Sequence, residues 1–328
     1  MDGPRRAGRS RHRALQITAG AALLAVVAAT LALVLRTPSP VGHWNSAQGH
    51  AQFLEAYETA MRDMPEAAET RDVRTDHGFV RVYRFAGTGD AGPLVLLPGR
   101  SSPTPVWADS LPALLEIGDV YALDLLGEPG MSVQEVPIDS DADHAAWLDQ
   151  VLQQLPEDRF TVVGMSIGGW TAVNLAVHAP ERVAALVLVD PVLTFSGIPA
   201  GTAVRAIPAS VPWLPSSWRD SFNSYTAGGA PVEDVPVARM TETAMRAYSI
   251  RLPQPAPIGE QALSGLRMPV LVVLAGKSVM HDVDRSSRVA GRTLRDGTVR
   301  VYPDATHAVG SERAAEIAED IRVFLEGQ

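Results

Sequence analysis

Gly164-Met165-Ser166-Ile167-Gly168-Gly169 is the stretch on which the fold turns. Directly before it, Phe160-Thr161-Val162-Val163 is short, apolar and rich in β-branched side chains, which reads as a buried strand. Directly after it, Trp170 to His178 reads as a helix. A serine in a G-x-S-x-G setting between a strand and a helix must sit on a strained turn, so its neighbours must be small. Gly164 and Gly168 meet that need. The following helix begins with unbonded amides and partial positive charge, so the backbone N–H of Ile167 is placed to receive an oxyanion. Ser166 is therefore the candidate nucleophile.

Outward from this stretch, strand-like and helix-like segments alternate. Val80 to Phe85 alternates apolar and polar residues, as a half-buried strand does. Pro93 to Leu97, Val120 to Leu123, Val183 to Val189, Val270 to Leu274 and Val299 to Tyr302 are short, mostly apolar runs, as expected of parallel strands covered on both faces. Asp141 to Leu155 and Glu312 to Leu325 carry apolar residues on one helical face. The pattern predicts a doubly wound, mostly parallel α/β domain over residues 72–328. Residues 191–269 interrupt it: prolines are frequent, no strand is evident, and Trp213, Trp218, Phe222 and Tyr225 supply aromatic bulk. Such an insertion predicts a helical lid.

Two further loops complete the chemistry. Pro98-Gly99-Arg100 closes an earlier strand, and the backbone N–H of Arg100 is the expected second oxyanion donor beside that of Ile167. After the last strand, Asp304-Ala305-Thr306-His307 places a histidine before the final helix, where the base follows the nucleophile and acid in chain order. His307 is the candidate base.

On these motifs the chain resembles the α/β-hydrolase superfamily over roughly residues 72–328, in particular its serine esterase-like bacterial members. Asp124 to Ser132 is similar to a D-x-x-G-x-G-x-S segment of that superfamily, with one extra residue between the glycines. Gly42-His43-Trp44 and the helix around Phe53 to Met61 resemble the lead-in of membrane-anchored relatives. The resemblance implies an acid in the loop after the penultimate strand, but Val279 stands in that slot. Two substitutes remain: Asp190, at the end of the strand after the nucleophile helix, is the expected acid, and Asp282, three residues past the slot, whose other reading is a helix N-cap, is the alternative.

The N-terminus has a different character. Arg5, Arg6, Arg9, Arg11 and Arg13 make residues 1–13 a basic tail, and residues 14–35 are uncharged. Twenty-two residues make a helix about 33 Å long, enough to cross a bilayer core of about 30 Å. The expectation is a transmembrane signal anchor with a cytoplasmic N-terminus and the remaining domain outside, with a cleaved signal and secretion as the alternative. Residues 36–71 read as a linker and lead-in helix. The net charge is −9, and the body after the tail is more acidic still, which argues against a nucleic-acid partner. With no cysteine, disulfides and thiolate chemistry are excluded. No metal motif or glycine-rich phosphate loop is evident, so no cofactor is expected.

The resulting expectation is a membrane-anchored hydrolase acting on a carboxylic ester with an apolar part, through an acyl-serine intermediate. Acyl transfer to another acceptor, as in an acyltransferase or perhydrolase, and a non-catalytic binding protein without a proper acid remain the alternatives.

Overall fold

Leu94, Val95, Leu96 and Leu97 are all fully buried, because successive residues of a strand point to opposite faces and both faces of this sheet are covered. The computed structural model describes residues 39–211, 214–231 and 233–328. The expected basic tail, the 14–35 span and Trp213 lie outside the described residues. Val41–Gln328 forms one compact unit. Its strands are β1 (His43–Trp44), β2 (Glu69–Thr75), β3 (Gly78–Phe85), β4 (Leu94–Leu97), β5 (Val120–Leu123), β6 (Val133–Gln134), β7 (Phe160–Met165), β8 (Val183–Val189), β9 (Tyr248–Ser249), β10 (Val270–Ala275) and β11 (Gly297–Tyr302). Its helices are α1 (Ala47–Met61), α2 (Leu111–Leu115), α3 (Asp141–Leu152), α4 (Ile167–His178), α5 (Ala200–Ala209), α6 (Ser216–Thr226), α7 (Pro236–Ala247), α8 (Glu260–Gly265), α9 (Val283–Thr293), α10 (Val309–Glu312) and α11 (Ala314–Glu326).

The main sheet runs β11-β10-β8-β7-β4-β5-β3-β2, with β6 also on β3. From β11 to β5 the pairing is parallel; β2, β3 and β6 pair antiparallel. The chain enters the parallel part at β4, steps to β5 on one side, then to β7 on the other. The carboxyl ends of β4 and β7 therefore flank a topological switch point, where open α/β sheets place ligands. Alternate residues divide the core in two. Val95, Leu97, Val162, Leu186 and Val272 pack with Leu148, Leu152 and Leu175 of α3 and α4. Leu94, Leu96, Val163, Val187 and Val273 pack with Phe53, Leu111 and Ile321 from α1, α2 and α11.

Several boundaries differ from expectation for identifiable reasons. β2 is a mostly polar edge strand in which only Val73 and Thr75 are buried, so apolar patterning does not mark it. β11 is also an edge, with Val301 46% exposed. The last helix breaks at Arg313 into α10 and α11. The lead-in helix α1, expected ahead of the domain, lies inside its core: Phe53, Tyr57 and Ala60 are buried in one cluster with Met240 and Ala244 of α7. Between residues 191 and 269 the described residues form α5, α6, α7 and α8, joined by loops, and β9, whose two residues pair antiparallel with β1. Among the described residues, no helix is long and apolar enough to cross a membrane.

Candidate active site

Ser166 sits between β7 and α4 with φ +56° and ψ −118°, a left-handed backbone conformation that costs about 1–3 kcal/mol for a non-glycine residue and needs surrounding support. The support is close packing. A Cβ on Gly164 would lie 2.3 Å from the Gly168 carbonyl oxygen, and one on Gly168 would lie 2.1 Å from that of Leu97. Only glycine lets the elbow close against itself and against β4. The Ser166 amide donates to the Val189 carbonyl at 3.0 Å, which ties the turn to the end of β8. Ile167 is the first residue of α4, so its N–H has no intrahelical acceptor and is available beside the serine.

His307 stands on the loop between β11 and α10. Its Nε2 is 3.0 Å from Ser166 Oγ, and its Nδ1 is 2.6 Å from Asp190 Oδ2. The loop is held by Thr306, whose amide and hydroxyl donate to Glu312 at 2.8 and 2.6 Å. The His307 amide donates to the Thr226 carbonyl at the end of α6 at 3.3 Å, so the 191–269 excursion touches the same loop. A serine hydroxyl, an imidazole and a buried carboxylate in this order can draw the proton from the hydroxyl and stabilise the imidazolium that forms.

Asp190 is completely buried just past β8 and has φ +43°. Besides His307, its carboxylate accepts from the Ala275 amide at 2.8 Å, Ser278 Oγ at 2.6 Å and His281 Nε2 at 2.7 Å. Burial pushes the carboxyl up, but the bonds from His281 and His307 outweigh it and hold Asp190 below the usual carboxylate range. Asp282, the other sequence candidate, is not at this site. It caps α9, its Oδ1 accepting the Arg285 amide at 2.9 Å. Val279 turns its carbonyl to the Thr202 hydroxyl of α5 at 2.5 Å. Ser278 and His281 were not singled out from the sequence; nothing local marks them, because their partner lies about ninety residues upstream.

A Cβ on Gly99 would lie 3.6 Å from Ser166 Cβ, so the turn after β4 passes close to the serine. The Arg100 N–H makes no backbone bond among the described residues. The turn is braced from below by the Asp124–Ser132 segment. Glu128 accepts the amide of Ser101, a residue with φ +54°, at 3.1 Å, and Asp124 accepts both the amide and the hydroxyl of Thr104 at 2.7 Å. Burial pushes Glu128 up in pKa, with Arg100 and the Ser101 amide opposing. Next to the two amides lies a cavity of about 20 Å³ lined by Leu125, Ile167, Trp170 and Leu252 together with Arg100 and His144. Burial, with a smaller contribution from Arg100, pushes His144 down to about 4, so it is neutral there at ordinary pH. Among the described residues, no group of three or more His, Asp or Glu could hold a metal ion.

A family profile described as the alpha/beta hydrolase fold matches residues 92–229. Carboxylesterase YbfK of Bacillus subtilis is 22% identical over 287 residues, covering 84% of this chain and 94% of that protein. Its crystal structure superimposes with a TM-score of 0.78 over 86% of this chain and 100% of that one. The crystal structure of naproxen esterase from Bacillus subtilis also gives 0.78, at 21% identity, over 85% of this chain and 99% of that one. A membrane phospholipase A described as a bacterial virulence factor gives 0.67 at 20% identity, over 95% of this chain and 98% of that one. The fold is that of the α/β hydrolases, and the chain is an enzyme of that kind. In its relatives it is carboxylesterase-like.

Proposed function

We propose that the chain is a serine hydrolase that cleaves a carboxylic ester through an acyl-serine intermediate. Ser166 attacks the carbonyl carbon while His307 takes its proton, and the Arg100 and Ile167 amides hold the oxyanion that forms. His307 then returns the proton to the leaving alcohol, and a water molecule activated by the same histidine releases the acid. The observation that carries this reading is the unbroken run of hydrogen bonds from Ser166 Oγ through His307 to Asp190. The same run speaks against a binding protein without an acid, since Asp190 stands where Val279 cannot serve. The apolar side chains at the cavity beside the amides favour an ester with an apolar group.

Residues 191–269 are proposed as a lid, on the support that α5 and α6 reach the loops carrying Val279 and His307. Residues 14–35 are proposed as a single-pass membrane anchor placing the enzyme domain outside the cytoplasm, on the support of their length and the five arginines before them.

The test is turnover of p-nitrophenyl esters of increasing chain length, with a fluorophosphonate label alongside. The wild type should hydrolyse and label, and Ser166→Ala should lose about 10⁴-fold or more in kcat and all labelling. A folded wild type that neither hydrolyses nor labels would overturn the reading. Products formed with added alcohols, amines or peroxide would separate hydrolysis from acyl transfer.

A further inference from the structure

Asp190 leaves β8 with a left-handed backbone and a side chain closed off from the surface, so its carboxylate is aimed by the groups that donate to it. His281 is one of them, and its own surroundings are unusual for a histidine. Its side chain is completely buried, with Nε2 2.7 Å from Asp190 Oδ1. On its other edge, Nδ1 is 3.2 Å from Ser286 Oγ on α9. Ser286 Oγ is 3.0 Å from Ser196 Oγ, which accepts the Asp282 amide at 3.2 Å.

The direction of this chain follows from its last acceptor. The Asp190 carboxylate can only accept, so His281 Nε2 carries a proton and directs it at Oδ1. In that tautomer Nδ1 accepts the Ser286 proton, and Ser286 Oγ is left to accept from Ser196, whose own oxygen accepts the Asp282 N–H. Every donor from the start of α9 points toward the carboxylate, across two loops that the chain separates by about ninety residues. We propose that His281 is a positioning residue for the Ser166–His307–Asp190 chemistry: its Nε2–H holds Asp190 Oδ1 so that Oδ2 stays aimed at His307 Nδ1.

This inference rests on the serine hydrolase reading above and extends it to a residue that touches neither substrate nor nucleophile. In the resemblance that guided the sequence, the loop after the penultimate strand supplies the acid; here the same loop supplies the groups that hold an acid coming from β8. The titratable groups that reach the carboxylate are His307 from the β11–α10 loop and His281 from the β10–α9 loop. Lys277 and Asp304 pair with each other at 3.4 Å, and Asp282 is engaged as a cap.

The test compares His281→Phe, which keeps the ring volume without a donor, with His281→Gln, whose amide can donate from a similar reach. Both are assayed in the full chain, alongside wild type, on p-nitrophenyl acetate across pH. His281→Phe should lower kcat about 10- to 100-fold with KM within about threefold. It should also move the acid limb of kcat/KM to higher pH, because more of the carboxylate's charge is left to face His307. His281→Gln should recover kcat to within about threefold of wild type and return the limb. If His281→Phe fails to fold, Ser286→Ala removes the hydroxyl that donates to Nδ1 and should lower kcat about threefold or more at unchanged KM. Wild-type kcat and pH profile in His281→Phe, or in Ser286→Ala where that variant stands in, would overturn the inference while leaving Ser166 turnover intact. So would equal loss in His281→Phe and His281→Gln, which would reduce the residue to packing. Absence of turnover and labelling in the wild type would remove both this inference and the reading beneath it.

Discussion

Asp124 and Asp190 occupy matching places, each just past the carboxyl end of a parallel strand, β5 and β8, and each wholly buried. Each carboxylate accepts four hydrogen bonds. Those on Asp124 come from the Thr104 amide and hydroxyl, the Met131 amide and the Tyr57 hydroxyl. Those on Asp190 come from the Ala275 amide, the Ser278 hydroxyl and two imidazoles. The outcome is opposite. Burial dominates at Asp124 and raises its pKa; at Asp190 the histidine bonds prevail and lower it. Equal depth and equal bond number do not decide what a buried carboxylate is for. A ring of neutral donors makes it a brace for a turn, whereas partners able to carry positive charge keep it ionised and ready to answer a developing imidazolium.

Asp190→Asn should produce the larger effect on chemistry, lowering kcat about 10³- to 10⁴-fold with little change in KM. Steady-state kinetics on p-nitrophenyl acetate would read it directly. Asp124→Asn should instead act on the fold, costing about 1–3 kcal/mol in urea unfolding by leaving donors without acceptors, while kcat stays within about tenfold. If Asp124→Asn matched Asp190→Asn in lost turnover at unchanged stability, the contrast between brace and acid would be broken.

The pair also separates by pH. Asp190 lies below its ordinary value of 3.8, so its contribution to stability is present above about pH 4 and is lost as pH falls through the folded-state value. The unfolding penalty of Asp190→Asn should therefore grow as pH rises through the acid range and then level off. Asp124 lies above 3.8, so its contribution is full below about pH 4 and is lost as pH rises through the raised value. The penalty of Asp124→Asn should shrink along the same path. Parallel slopes in unfolding curves measured across pH would contradict the opposite electrostatics.

Asp282→Ala should give the smallest effect. As the cap of α9 it should cost about 1 kcal/mol in stability and leave kcat within about twofold. A thousandfold loss of turnover there would return Asp282 to the role of acid.

Some of this was plain in the chain. Gly164, Ser166 and Gly168 between an apolar run and a helix dictated the elbow locally, and strands such as Val120 to Leu123 declared themselves because burial on both faces demands an unbroken apolar run. β2 escaped because an edge strand needs few apolar residues, and β9 because two residues carry no period. The sequence favours Asp190 over Asp282 without excluding the second, since both stand on loops after a strand; the contact of Asp190 with His307 and the cap made by Asp282 separate them.

What the sequence determined by itself was what local sterics and periodicity compel: a doubly wound sheet, a serine on a strained turn with small neighbours, and a histidine after the last strand. Tertiary structure alone decided which carboxylate meets that histidine, which groups hold it, and that α1 belongs to the core. Those are contacts between residues tens to more than a hundred positions apart. Their geometry depends on the register of strands and the path of loops, and no short window of sequence carries that information.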